Sequence, residues 1–308
     1  MSALEDVPLL VFDGACGTNL QLMDIPAAAW EGCEGCNELL NVTNPEAIVA
    51  LHRSFVDAGA MVLETNTFGA TGIVLAEYGL QDRVDAINRA AVANARAAIG
   101  RRTDCWVAGS MGPTTKLVSL GHITREALAD AYREQAAALL DAGVDCLILE
   151  TCQDLLQVKT ALTTIFELLD QQHRDVPVLV SVTIEQTGTM LVGSDMPAIC
   201  ATLEPFPIFS LGMNCATGPR DMESHLRYLG RHWPGRISCI PNQGLPEVQD
   251  GQTVYRLTPD AFAGQLREFV RQFGVSIVGG CCGTTPAHIR ALVNTVAGET
   301  PPAREVSV

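Results

Sequence analysis

The chain has 308 residues, and its 47% hydrophobic content is ample for one large buried core. It carries 20 Lys and Arg against 35 Asp and Glu, which gives a formal net charge of −15 at pH 7. We therefore expect no nucleic acid and no anionic membrane as a partner, because both repel an acidic surface, although a basic protein patch could still dock.

The sequence does not predict insertion into a membrane. No stretch approaches the roughly 20 uninterrupted apolar residues of a membrane span. The first six residues hold no basic segment before an apolar run, so a secretory signal is not expected. The 11 cysteines of so large a chain do not indicate a disulfide scaffold, and we predict a cytoplasmic protein whose thiols stay free or bind metal.

Eight short apolar runs, rich in Val, Ile and Leu and without alternation, are typical of parallel strands covered on both faces. The predicted strands are Pro8–Ala15, Ala60–Phe68, Cys105–Gly112, Val144–Thr151, Val178–Ile184, Phe209–Cys215, Ile237–Gly244 and Val275–Gly283.

Amphipathic stretches separate these runs and predict helices. Asn44 followed by Pro45, and Thr285 followed by Pro286, are favourable helix starts, and Gly143 is a favourable helix end. The predicted helices are Pro45–Ala58, Asp82–Ile99, Thr124–Ala142, Asp154–Gln172, Pro197–Leu203, Pro219–Leu229, Pro259–Phe273 and Pro286–Val296.

Eight strand-then-helix repeats predict a single-domain α/β protein, a (β/α)8 TIM barrel, with a doubly wound sheet as the second choice. No interior linker rich in Pro, Gly or Ser divides the chain. We expect the barrel over residues 1–297 and a flexible tail or linker over residues 298–308, where Pro301 and Pro302 interrupt any periodicity.

Three thiols stand at the ends of predicted strands. Cys215 ends one run, and the adjacent pair Cys281 and Cys282 ends another, with glycines beside it. In a barrel the carboxyl ends of the strands form the functional face, so these thiols are predicted to meet there. Three thiolates with one free position are typical of a reactive zinc site. The alternative is that each is a small buried core residue, as free cysteines often are.

Carboxylates follow the strands at the same predicted face. Asp13 and Glu150 end their strands and would suit a substrate with an ammonium group, such as an amino acid; Glu64 is a weaker candidate. Asp13 could instead cap a helix. The Gly-rich turn at Gly14 and Ala15 lacks a phosphate-binding motif and is predicted to bring backbone amides close to a carboxylate.

Cys33 and Cys36 form a lone CxxC motif, which could be redox-active or half of a zinc site. Because no second CxxC follows, we favour two reduced thiols in a loop.

Five sequence blocks together resemble the homocysteine S-methyltransferase family. They are Asp13–Thr18, Glu64–Phe68, Glu150–Thr151, Asn214–Cys215 and Gly279–Gly283. Further blocks, Asn37–Asn41, Glu77–Leu80 and Val107–Thr114, resemble one branch more closely, the homocysteine-binding module of cobalamin-dependent methionine synthases. The resemblance covers roughly residues 8 to 297.

The resemblance implies a barrel whose zinc ligands are Cys215, Cys281 and Cys282. It further implies that Asp13 and Glu150 hold the homocysteine ammonium and that backbone near Gly14 and Ala15 meets its carboxylate. Asn214 would orient the site. Cys33, close before Cys36, departs from the family pattern and leaves the function of that loop open.

The implied activity is a zinc-dependent S-methyltransferase that activates homocysteine as a thiolate. Its methyl donor would be methylcobalamin, carried by a separate corrinoid-binding domain or protein, and its product methionine. A second hypothesis replaces the donor with S-adenosylmethionine or S-methylmethionine, or the acceptor with another thiol. A third is a non-catalytic zinc or redox thiol protein with a closed four-ligand site.

Overall fold

The computed structural model describes residues 3–245, 247–249 and 252–307. Residues 1 and 2, part of the segment in which no secretory signal was expected, and residue 308 of the predicted tail lie outside the described residues.

Eight parallel strands form one sheet. The strands are β1 Leu10–Val11, β2 Val62–Glu64, β3 Trp106–Met111, β4 Cys146–Cys152, β5 Val178–Val182, β6 Ser210–Asn214, β7 Arg236–Ile240 and β10 Ile277–Val278. Their order in the sheet is β1-β10-β7-β6-β5-β4-β3-β2. A parallel bridge between Phe12 and Val62 joins the two ends of this order. This closure confirms the predicted (β/α)8 barrel, since a doubly wound sheet keeps two open edges.

Helices surround the sheet. They are α1 Cys16–Leu20, α2 Leu40–Thr43, α3 Pro45–Ala58, α4 Gly72–Leu75, α5 Val84–Ile99, α6 Arg125–Ala142, α7 Leu155–Gln171, α8 Met196–Leu203, α9 Pro219–His232, α10 Pro259–Phe273 and α11 Pro286–Val296. Their ends follow local chemistry. The side chain of Asn44 caps α3 by accepting the Ala47 N–H, and α3 ends at Gly59 in the left-handed conformation.

The apolar side chains form two layers. One fills the barrel, where Phe12, Ile148 and Leu179 are fully buried and Leu4 packs against the same cluster. The other lies between sheet and helices, with Leu147 and Ile165 as members. Burial on both faces is why the strand sequences do not alternate.

The segment between β7 and α10 holds an antiparallel pair, β8 Glu247–Gln249 and β9 Gln252–Val254, which the sequence analysis did not predict. It lies on the same side of the barrel as the carboxyl end of β7. No helix in the described part of the chain is long and apolar enough to cross a membrane.

Residues 298–307 contain neither helix nor strand, and they lie against α9 and α10. The guanidinium of Arg304 donates to the carbonyls of Leu229, Gly230 and Trp233, at 3.3, 3.5 and 2.7 Å. Arg271 pairs with Glu299. The flexibility expected of this tail stays a prediction, which these contacts make testable.

Candidate metal and substrate site

The barrel brings together the three thiols that the sequence singled out. Cys215 follows β6, Cys281 and Cys282 follow β10, and their three sulfur atoms lie within 4.8 Å of one another. The Sγ of Cys282 is 3.9 Å from that of Cys215 and 4.0 Å from that of Cys281. This is the one group of three or more potential metal ligands among the described residues.

The backbone conformation at the strand ends determines where these sulfur atoms lie. Cys215 and Ala216 both adopt the left-handed conformation, with φ of 61° and 54°, which turns the chain sharply at the end of β6. Gly283 is also left-handed, with φ of 79°, and a Cβ there would lie 2.6 Å from the Tyr255 ring. Glycine at this position therefore lets Tyr255 pack directly beside the cysteine pair.

The thiols share protons in this arrangement. Hydrogen bonds from Cys281 and Cys282, with a further one from Asn242, lower the pKa of Cys215 to about 3 despite its burial. The pKa values of Cys281 and Cys282 are raised, chiefly because each keeps its proton to donate to Cys215. One thiolate stabilised by two thiols is the state from which a cation would displace the two remaining protons.

The donor set fits zinc. Three thiolates are a strong ligand set for that ion and leave a coordination position open. Asn242 gives a second, independent observation, since its Oδ1 atom is buried without a hydrogen-bond partner among the described residues. The Asn242 side chain also hydrogen-bonds Cys215, so this unpaired buried oxygen belongs to a residue in direct contact with the thiol cluster. The sequence analysis did not predict a function for Asn242.

Three carboxylates gather at the same end of the barrel. Both oxygens of Asp13 accept the backbone N–H of Glu64 at 3.3 Å. Glu150 accepts a short hydrogen bond from the Ser110 hydroxyl. The Oε1 atom of Glu64 is buried and has no partner among the described residues. The sequence analysis therefore identified acids that do lie together, with Glu64 less engaged than the other two.

Burial sets the charge state of these acids. Desolvation is the largest cause of the raised pKa of all three, and it raises the pKa of Glu150 to about 7. Glu150 also raises the pKa values of Asp13 and Glu64 through like-charge repulsion. A cationic group brought into the site would reverse these shifts, because it favours the ionised carboxylates.

Asn214 connects the acids to the thiols. Its Oδ1 accepts from the Ser181 hydroxyl at 2.7 Å and from the Thr151 N–H at 2.9 Å. Its Nδ2 lies 3.4 Å from Glu150 Oε2 and 3.9 Å from Cys281 Sγ. The predicted orienting function of Asn214 is consistent with these contacts, and Ser181 and Thr151 are partners that the sequence did not reveal.

A cavity of about 310 Å³ opens beside these groups. Its wall includes Gly14, Ala15, Glu64, Glu150 and the three cysteines, together with Cys16, Glu38, Asn66 and Ser110, which were not predicted. Asp13 and Asn214 do not line it and lie behind its wall, at 4% and 1% exposure.

The turn at Gly14 is packed closely against its surroundings. A Cβ on Gly14 would lie 2.8 Å from the Phe55 ring and 2.9 Å from the Thr284 hydroxyl. The Ala15 N–H already donates to that hydroxyl at 3.2 Å. A substrate carboxylate at this turn would therefore have to meet backbone amides other than that of Ala15, or displace Thr284.

The fold and the site together define a (β/α)8 barrel with a three-thiol centre at the carboxyl ends of its strands, in a cavity lined with carboxylates. The model of the homocysteine S-methyltransferase family matches residues 10–296, and the chain belongs to that family.

Two mycobacterial methionine synthases are similar in sequence. The one from Mycobacterium tuberculosis (strain ATCC 25618 / H37Rv) is 44% identical over 303 residues, which is 97% of this chain and 25% of that protein. The one from Mycobacterium leprae (strain TN) is 44% identical over 293 residues, or 94% of this chain and 24% of that protein. The chain thus spans about a quarter of the length of these relatives.

The solved homocysteine methyltransferase MmuM from Escherichia coli has a similar structure. Its metallated form superposes with a TM-score of 0.74 at 26% identity, covering 94% of this chain and 96% of that chain. An oxidised form gives the same TM-score and covers 97% of that chain.

Proposed function

We propose that this chain activates homocysteine as a thiolate and methylates it from methylcobalamin on a separate corrinoid-binding domain or protein, yielding methionine. The observation that carries the proposal is the cluster of three sulfur atoms within 4.8 Å of one another on the wall of a carboxylate-lined cavity. Family membership supports homocysteine as the methyl acceptor.

Cys215, Cys281 and Cys282 would hold Zn²⁺. When bound, zinc supplies Lewis-acid chemistry that lowers the pKa of a thiol ligand to below neutrality. The turn after β6 and the close packing of the glycines around the cysteine pair set the spacing of the three sulfur atoms.

The carboxylates are proposed to select and orient the substrate. Glu150 and Glu64 line the cavity and would receive the homocysteine ammonium, with Asp13 supporting Glu64 from behind through its backbone N–H. Their negative charge would favour an amino-acid thiol over a thiol lacking the ammonium group. Asn214 would hold Glu150 and Cys281 in a fixed relative position, because its side-chain amide contacts both.

Exposed apolar side chains at the same face of the barrel support a carrier domain as the methyl donor. Leu22, Phe68, Leu120, Leu191 and Leu245 are between 41% and 79% exposed, and each lies on a loop that follows a barrel strand. A donor that reaches the cavity must approach through this face, and such side chains are typical of a protein contact. Similarity to one quarter of two methionine synthases also supports a donor held elsewhere.

The first experiment tests the thiolate. Homocysteine added to the zinc-loaded protein near neutral pH should release about one proton per zinc, measured with a pH indicator in weak buffer. Absence of release from fully loaded protein contradicts the proposal. Cys281→Ala should show none, whereas Cys200→Ala, which alters a thiol on α8, should release as much as the unaltered protein.

The second experiment identifies the donor. Zinc-loaded protein is given homocysteine with free methylcobalamin, S-adenosylmethionine or S-methylmethionine, and methionine is measured. Methionine from methylcobalamin is expected. Methionine from either of the other two alone would support the alternative of a small-molecule donor, which the similarity to nearly the full length of the solved E. coli homocysteine methyltransferase favours.

A further inference from the structure

The CxxC segment takes no part in the proposed reaction, yet its backbone already has the geometry of a closed ring. The N–H of Cys36 donates to the carbonyl of Cys33 at 3.0 Å, which closes a four-residue turn. Gly35, the third residue of that turn, is left-handed with φ of 100°. Such a turn holds its end Cα atoms within about 7 Å of each other, and a disulfide needs roughly 4.4–6.8 Å.

The two cysteines also border the same part of the protein interior. Both pack against one apolar cluster, which includes Leu39 and Leu75. Cys36 is fully buried there, whereas Cys33 is half-buried, and both are free. A small oxidant in solution can therefore reach Cys33, and Cys36 lies behind it as a second thiol that can complete the reaction.

Cys36 is connected to the wall of the cavity. Its Sγ donates to Glu38 Oε2 at 3.9 Å, and Glu38 Oε1 accepts the Gly69 N–H at 2.7 Å. Glu38 itself lines the cavity. Burial raises the pKa of the Glu38 carboxyl, while the Gly69 and Cys36 hydrogen bonds oppose that shift. Loss of the thiol hydrogen of Cys36 would remove one hydrogen bond from Glu38, a residue of the cavity wall.

We propose that Cys33 and Cys36 form a second thiol centre, a reversible dithiol–disulfide site that a small-molecule disulfide oxidises. The Cys33 sulfur attacks the small disulfide, forming a mixed disulfide and releasing one thiol. The Cys36 sulfur then attacks the Cys33 sulfur, closing the protein S–S bond and releasing the second thiol. Two protein thiols are oxidised, the small disulfide is reduced to two thiols, and both protons leave with them.

Oxidation removes the hydrogen that Cys36 donates to Glu38. Glu38 also accepts the Gly69 N–H and lines the cavity. Oxidation of the cysteine pair therefore changes the hydrogen bonding of a side chain in the cavity wall. This proposal does not depend on methyl transfer, since neither cysteine belongs to the three-thiol cluster.

The sequence offers a direct assay. The zinc-loaded 308-residue chain is equilibrated in glutathione redox buffers, quenched by alkylation and digested with a protease that cleaves after glutamate. Cleavage at Glu31, Glu34 and Glu38 places Cys33 and Cys36 on separate fragments, residues 32–34 and 35–38. Only a disulfide between them keeps the fragments joined in the mass spectrum.

The joined pair should appear in a single two-electron transition, with a tenfold change in the oxidised-to-reduced ratio per about 30 mV. Cys33→Ser and Cys36→Ser should abolish it, and Cys200→Ser should not. Separate fragments at every potential, or a stable glutathione adduct on Cys33, would overturn the proposal.

Hydrogen exchange tests the connection to the cavity. The Gly69 amide should exchange several-fold faster in the oxidised protein, because its acceptor Glu38 has lost the Cys36 contact. Unchanged exchange at Gly69 after complete disulfide formation would overturn the coupling through Glu38.

Discussion

Replacing Glu150 with glutamine tests whether burial controls the acid beside the thiols. Glutamine keeps the shape of the side chain and an oxygen that can accept from the Ser110 hydroxyl. It places an N–H where Glu150 Oε2 faces the Asn214 amide at 3.4 Å, so that hydrogen bond is lost. The charge, with its pH dependence, disappears altogether.

The magnitude follows from the pKa of Glu150, which is raised from 4.5 to about 7, chiefly by burial. A carboxyl whose pKa is raised by folding stabilises the folded protein fully below pH 4.5, and that stabilisation is lost as pH rises through 7. At about 1.4 kcal/mol per pH unit, the loss is about 3 kcal/mol at pH 8. The lost Asn214 hydrogen bond costs Glu150→Gln about 1 kcal/mol at any pH.

Plotted against pH, the free energies of unfolding of Glu150→Gln and of the unaltered protein are expected to cross. Glu150→Gln should have the lower free energy of unfolding at pH 5 by a few tenths of a kcal/mol, and the higher one at pH 8 by about 2 kcal/mol. The assay is urea unfolding of the metal-free protein, because Cys215 contributes to the shift. Glu126→Gln, on the exposed face of α6, is the control. Parallel curves for Glu150→Gln and the unaltered protein would refute the reasoning.

Three further predictions concern the site and the tail. Cys281→Ala should lose zinc in equilibrium dialysis while its circular dichroism spectrum stays that of a barrel; loss of the fold would indicate a structural metal instead. Gly14→Ala should lower the free energy of unfolding by about 1–3 kcal/mol, because the new Cβ meets Phe55 and Thr284, and an unchanged urea midpoint would contradict that packing. Arg304→Ala should release the tail, which limited proteolysis would show as faster cleavage after residue 298; equal rates would mean that the tail is already mobile.

The barrel could be predicted from the sequence because its strands are buried on both faces and its helices carry their own start and stop signals. Asn44 followed by Pro45 predicted the start of α3 correctly, and the predicted end at Ala58 is also observed, with Gly59 as the residue that ends the helix. Strand lengths were less predictable. The apolar run from Pro8 to Ala15 yields only Leu10–Val11 as a strand, because the residues that follow turn to form the cavity wall.

Residues that contribute to the site only through hydrogen bonds to other site residues could not be identified from the sequence. Cys281 and Cys282 stand out as an adjacent pair, whereas Asn242 resembles any polar residue after a strand. Its position beside Cys215 depends on the packing of β6 against β7, which spacing along the chain does not report. The same holds for Ser110, whose hydrogen bond to Glu150 joins residues 40 positions apart.

The two consecutive left-handed residues at the end of β6 restrict which amino acids can occupy these two positions. Cys215 and Ala216 each give up about 1 kcal/mol or more to hold that shape, and the barrel wall supplies the compensation. A β-branched side chain at 216 would make the conformation untenable, whereas glycine, asparagine or aspartate would tolerate it. Position 216 is thus restricted by the shape of the backbone and not by contact with the proposed metal, because any side chain placed there must tolerate the left-handed conformation.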